Sequence, residues 1–138
     1  MRRSATIILV AASLAAASFG IGHADDGEKV TPVFRHELPN SPGKSLVAFI
    51  VAYAPGGKSV AHHHAKSAFV YAQILTGSIR SKVGDEPEKI YKTGENFFEM
   101  PGLAHAVSEN ASRTEPASLL AVFIVDTKDK DLTVPDKH

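Results

Sequence analysis

Residues 56–77 read GGKSVAHHHAKSAFVYAQILTG, a triple histidine between Gly56 and Gly77 followed by a run of apolar and aromatic residues. In an extended segment alternate side chains share a face, so His62 and His64 point together, their Cα atoms roughly 6.5 Å apart, while His63 points the other way. Two neutral imidazoles at that spacing can close on one metal ion. The run that follows, Ala68–Leu75, is apolar on both faces: Ala68, Val70, Ala72 and Ile74 alternate with Phe69, Tyr71, Gln73 and Leu75. Both faces must therefore be covered, one by a pocket and the other by a second sheet or a second copy of the chain.

Outward from this stretch the chain continues as short extended segments. Upstream, Thr31–Leu38 alternates weakly, Asn40-Ser41-Pro42-Gly43 makes a turn, and Ser45–Ala54 is an apolar run broken by Pro55-Gly56-Gly57. Downstream, Thr76-Gly77 joins Ala68–Leu75 to Ser78–Val83 as a hairpin. Lys89–Lys92, Asn96–Met100, His105–Ser108 and Ser118–Val125 follow, separated by turns at Gly84–Pro87, Thr93-Gly94 and Pro101-Gly102. Eight or nine strands with turn signals every ~8–12 residues, and no helical period, predict an all-β fold. Without intervening helices a parallel sheet is disfavoured, and an antiparallel jelly roll is expected. From Thr127 onward the polar residues 128–138 read as a tail, mobile or lying along the surface.

The amino terminus reads differently. Arg2 and Arg3 precede an uncharged apolar stretch from Ala5 to Gly22, and Gly22-His23-Ala24 offers small residues for cleavage, so residues 1–24 are expected to be a secretory signal. The alternative is an uncleaved anchor, disfavoured because the stretch is rich in Ala and Ser and is followed at once by Asp25 and Asp26. Residues 25–127 then form a single β domain, which places the protein in the periplasm or outside the cell. Of 15 basic side chains two leave with the leader, giving the mature chain a formal charge of −2 against 15 acidic groups. No basic stripe or charge block points to nucleic acid or an anionic membrane, and no stable membrane span is expected after cleavage. The chain has no cysteine, which excludes disulfides, thiolate metal sites and thiol nucleophiles.

A further histidine lies in the second half of the domain. The segment Gly94-Glu95-Asn96-Phe97-Phe98-Glu99-Met100-Pro101-Gly102-Leu103-Ala104-His105 is followed by Asn110. Together the two segments resemble the paired motifs of the cupin superfamily. The first of those runs Gly, five residues, His-x-His, three or four residues, Glu, six residues, Gly, against Gly56, His62, His64 and Gly77 here. The second runs Gly, five residues, Pro-x-Gly, two residues, His, three residues, Asn, against Gly94, Gly102, His105 and Asn110. The resemblance covers about 55 residues. It implies a double-stranded β-helix barrel holding one divalent metal ion (Fe, Mn, Ni, Cu or Zn), with His62, His64 and His105 as ligands.

The departures from that pattern bear on chemistry. Twelve residues separate His64 from Gly77, and none is acidic. Counting back from Gly77 places Val70 where the family has its glutamate, and counting forward from His64 places Ala68 or Phe69 there. Met100 replaces the first proline of the second motif, and Asn110 falls one residue late. Gln73 offers an amide oxygen, but the register of His64 turns it away from the pocket. Glu99, a carboxylate between aromatics and Met100 just before the turn that delivers His105, is the better stand-in, against the plainer reading of a solvated strand-end charge. It is also the leading candidate for acid–base work.

The remaining histidines have plainer readings. His63 faces outward, His36 carries no role, His138 is terminal and His23 leaves with the signal. Phe69, Phe97, Phe98 and Phe123 read as core, while Tyr53 and Tyr71 can present a hydroxyl to the barrel. Three functions follow. The first is an exported metalloenzyme acting on a small molecule, with oxygenase or isomerase chemistry implied by the resemblance. The second is a non-catalytic protein that binds a small ligand or a metal in the same pocket. The third is a structural role with a decayed site.

Overall fold

The structure, a computed structural model, describes residues 27–137. The leader and the histidines His23 and His138 lie outside the described residues. Ten strands run in chain order: β1 (Glu28–Glu37), β2 (Lys44–Tyr53), β3 (His62–His64), β4 (Phe69–Thr76), β5 (Ser78–Val83), β6 (Lys89–Lys92), β7 (Asn96–Glu99), β8 (Ala104–Asn110), β9 (Ala117–Asp126) and β10 (Thr133–Pro135). They form two five-stranded sheets, ordered β1-β2-β9-β4-β7 and β10-β3-β8-β5-β6, with every pairing antiparallel. The expected jelly roll is the observed fold, and among the described residues no helix is long and apolar enough to cross a membrane.

The alternation of β4 and β9 dictates which face of the first sheet is inside. Val70, Ala72 and Ile74 on β4 and Leu119, Ala121, Phe123 and Val125 on β9 are buried, their neighbours in sequence less so. Each fully buried branched or aromatic side chain contributes roughly 1.5–3 kcal/mol relative to exposure, so this shared inner face outweighs any single turn or cap in holding the sheets together. Ile79 from β5 closes the same core from the second sheet. On the outer face of the first sheet Phe98 and Ile124 remain exposed, and Phe69 stacks on Phe98 with ring centroids 5.9 Å apart.

Two local features explain strand boundaries. Pro32 lacks a backbone donor, and it sits on β1, an edge strand bonded only to β2, beside a bulge between Pro32 and Phe34. Gly77 turns β4 into β5 at φ +67°, and a Cβ there would lie 2.5 Å from the carbonyl oxygen of Pro116. Any side chain would force the hairpin away from the β8–β9 connection.

The C-terminal segment contributes an element that hydropathy did not single out. Thr133–Pro135 pairs with His62–His64 as β10, and Leu132 just before it enters the core. The polar run from Lys128 to Asp131 is thus a loop leading back to the barrel.

Candidate metal centre

His62 and His64 alternate on β3, and His105 on β8 is the direct cross-strand partner of His62. The pairing follows from inward parity on both strands, and it gives ring centroid separations of 4.8 Å (His62–His64), 5.1 Å (His62–His105) and 6.3 Å (His64–His105). One ligand nitrogen from each histidine lies within 4.8 Å of the others. His63 points outward and pairs with Asp136. His36 lies exposed on β1, an edge strand of the other sheet.

Each ring is held from behind. His62 donates from Nδ1 to the carbonyl of Val60 at 2.7 Å, which leaves the Nε2 lone pair free. The Nδ1 of His64 lies 3.1 Å from both the carbonyl of Leu132 and the hydroxyl of Thr133. His105 Nε2 is 2.9 Å from the Ser81 hydroxyl, which leaves Nδ1 on the side of Glu99. Ser81, Leu132 and Thr133 were not found from sequence. Only the inward parity of Ile79 and Ser81 on β5 could have pointed to the serine, and nothing in the polar C-terminal run pointed to the other two.

Glu99 faces this cluster from the opposite sheet. It is the last residue of β7, alternates inward with Phe97, and is only 3% exposed. Its Oε1 lies 3.1 Å from His105 Nδ1 and its Oε2 3.3 Å from His64 Nε2. Burial pushes the carboxyl up, but the contacts with His105 and His64 outweigh this and hold it at about 2, so the group is an anion. Yet Oε2, fully buried, makes no hydrogen bond. Gln73 alternates with the inward residues of β4 and is absent from the cavity wall, in keeping with its sequence register.

His62 stays uncharged. Burial lowers its pKa to about 4, with a lesser contribution from neighbouring His105 and His64. Three imidazoles around one buried carboxylate, whose Oε2 makes no hydrogen bond, form a donor set that a divalent cation satisfies and a hydrophobic core does not. On this observation the residues fit a metal ion.

The cluster lines a cavity of about 290 Å³ between the sheets. Its walls are mostly apolar, with Phe49, Val51, Leu119, Ala121 and Phe123 among them. Tyr53, also in the wall, is buried, its hydroxyl 2.6 Å from Ser59 Oγ and 2.8 Å from Ser108 Oγ, and Ser59 donates to Glu28 at 2.5 Å. Burial raises the Tyr53 phenol to about 12, so it remains a neutral hydroxyl. Tyr71, the other tyrosine considered, pairs with Phe98 across β4 and β7 and is absent from the cavity wall.

A small antiparallel barrel with inward histidines from two motifs, set against an apolar cavity, defines a class of metal-site barrels. The cupin domain family matches residues 49–123, and the chain belongs to that family. No curated protein matches the chain. Among solved structures, recombinant oxalate oxidase in complex with glycolate is similar with a TM-score of 0.63 at 20% identity, covering 80% of this chain and 56% of that one. The chain thus spans little more than half the length of that relative. An uncharacterized protein with a double-stranded β-helix domain from Klebsiella pneumoniae subsp. pneumoniae has a TM-score of 0.62 at 16% identity, covering 85% and 91% of the two chains. TT1209 from Thermus thermophilus has a TM-score of 0.57 at 26% identity, covering 71% and 83%.

Proposed function

We propose that this protein is an exported cupin that holds one divalent metal ion with His62, His64 and His105 and acts as a metal-dependent enzyme on a small molecule. The carrying observation is that three inward ligand nitrogens within 4.8 Å of one another share a pocket wall with the buried Glu99 carboxylate, whose Oε2 makes no hydrogen bond. Export rests on the leader pattern of residues 1–24.

When bound, the ion supplies a Lewis acid and, if it is Fe, Mn or Cu, a redox centre. The chain's own groups do the rest. Val60, Ser81 and the Leu132–Thr133 pair fix the three rings, and Glu99 balances charge that neutral imidazoles leave uncompensated. Glu99, beside His64 and His105, is also placed for the acid–base work expected from sequence. The apolar walls exclude water from the cavity and orient a substrate by shape.

The test is elemental analysis of the purified protein, followed by oxygen-uptake and isomerisation screening of the metal-loaded form. Retained metal in the wild type, lost in His62→Ala and His105→Ala, is the expected result. Equal metal content in all three would overturn the site, and metal retention without turnover of any candidate would favour the non-catalytic binding reading. A second copy of the chain is proposed as a partner of the outer face carrying Phe69, Phe98 and Ile124. Light scattering on wild type and Phe98→Glu reads this directly, and a monomer in both removes it.

A further inference from the structure

The cavity carries an asymmetry that sequence motifs do not express. Among the described residues that line it, two are acidic, Glu28 and Glu99, and none is Lys or Arg. Glu99 sits beside the histidines, while Glu28 accepts the Ser59 hydrogen bond at the end of the Tyr53–Ser108 hydroxyl chain. Phe49, Val51, Leu119, Ala121 and Phe123 make much of the remaining wall apolar.

Resting on the metal-site reading above, we propose that the substrate is a compact, largely apolar molecule of about one ring that places no anionic group beside Glu28 and Ser59, but a hydroxyl or amino group that donates to Glu28. Size comes from the cavity, about 290 Å³, at the lower limit of small-molecule pockets. Polarity comes from the walls: aromatic and branched side chains reward apolar surface and offer nothing to a second charged group. Charge comes from the carboxylates. One anionic group can be met by the metal ion itself, but a carboxylate or phosphate beside Glu28 would find no guanidinium or ammonium among the described lining residues to offset the repulsion. Anion-binding sites normally provide such a partner or a helix N-terminus, and this fold has no described helix. A substrate donor meets the reverse situation, because Glu28 has acceptor capacity left after its bond from Ser59.

Dicarboxylates, which would bring a second anionic group toward Glu28, are therefore poor fits to this chain. The structural similarity to an oxalate oxidase extends to the barrel and stops short of the charge lining.

Three probes that share one ring and differ in the charge of their substituent test the proposal: benzyl alcohol, benzylamine and benzoate. They are titrated into isotope-labelled protein, metal-free and zinc-loaded, with backbone amide signals of Ser59, Val60 and Ala121 as reporters. The alcohol and the amine are expected to shift these signals saturably in both states. Benzoate should bind the metal-free pocket about tenfold more weakly than the alcohol. Glu28→Gln should cut the preference for the amine over benzoate by a similar factor. Benzoate binding the metal-free wild type as tightly as the alcohol would overturn the proposal, as would the absence of any shift with all three. Zinc content, measured separately by mass spectrometry, tests the metal reading on its own: a protein that holds no zinc yet keeps this selectivity would lose the metal site and retain the substrate class.

Discussion

Val70 on β4 and Glu99 on β7 are direct cross-strand partners, and both point into the barrel. Val70 occupies the position at which cupin motifs place their glutamate, counted back from Gly77. The carboxylate missing from that position is thus present one strand away, on the same face of the same sheet. Directly opposed residues in an antiparallel pair have Cβ atoms about 4.5–5.5 Å apart, a distance a glutamate side chain can span. Glu99→Val is expected to lower metal affinity by roughly 10–100-fold, and adding Val70→Glu to recover part of the loss. Calorimetric titration with zinc measures both, and a Glu99→Val protein that binds zinc like wild type would show that the carboxylate plays no part.

The His64 ring depends on the C-terminal strand. Leu132 is in the core, and its carbonyl and the Thr133 hydroxyl face His64 Nδ1. Leu132→Ala should cost about 2–4 kcal/mol in denaturant unfolding. Thr133→Val, which keeps the shape and removes the hydroxyl, should leave stability within about 1 kcal/mol and weaken metal binding by roughly tenfold. Unchanged affinity in Thr133→Val would assign the orientation of His64 to Leu132 alone.

Acid should destabilise the metal-free protein through His62. Its pKa falls from an ordinary 6.5 to about 4 in the folded state, first through burial. Between those values the unfolded chain takes up a proton that the folded chain refuses. Stability is full above pH 6.5 and is lost as pH falls toward 4, by on the order of 2–3 kcal/mol. Thermal unfolding of wild type and His62→Gln at pH 7, 5.5 and 4.5 checks the sign: the variant should show the shallower decline, and parallel curves would remove His62 as the cause.

Asn110 serves the frame and not the ion. Its Nδ2 donates to the carbonyls of Ala54 (3.1 Å) and Glu115 (2.7 Å), while Oδ1 accepts from the Ser112 amide (2.9 Å). Asn110→Ala should cost about 2–3 kcal/mol of stability by leaving buried groups unpaired. Asn110→Asp should cost more, since it sets a carboxylate oxygen against two carbonyls. Metal content per folded molecule should be unchanged in both, and its loss would place Asn110 in the site.

Much of the frame was legible because strands that alternate on a half-buried sheet print their parity in the sequence. β4, β5 and β9 begin and end within a residue or so of the expected boundaries, and the inward set Ala68, Val70, Ala72 and Ile74 is buried as its register predicts. The outward turn of His63 was legible for the same reason, whereas the partnership of His62 with His105 was implied by the resemblance to the paired cupin motifs. β10 was not, because a three-residue strand whose side chains are all exposed has no hydrophobic period, and its pairing is decided by the far strand. Glu99 was visible only as an odd charge among aromatics. Its nearness to His64 and His105 depends on how the two sheets face each other, which one-dimensional alternation does not encode.

The pairing of His62 with His105 has a kinetic consequence. β4 through β7 intervene between the two in the chain, and β3 is three residues long with no hairpin partner of its own. Such a contact closes only after most of a slow, non-local β topology is in place. Partly folded chains would present at most the His62–His64 pair, a weak and promiscuous chelate, and tight ion capture would mark completion of the barrel. Metal uptake followed in real time during refolding would then lag behind strand formation, serving as a clock for the last step of folding.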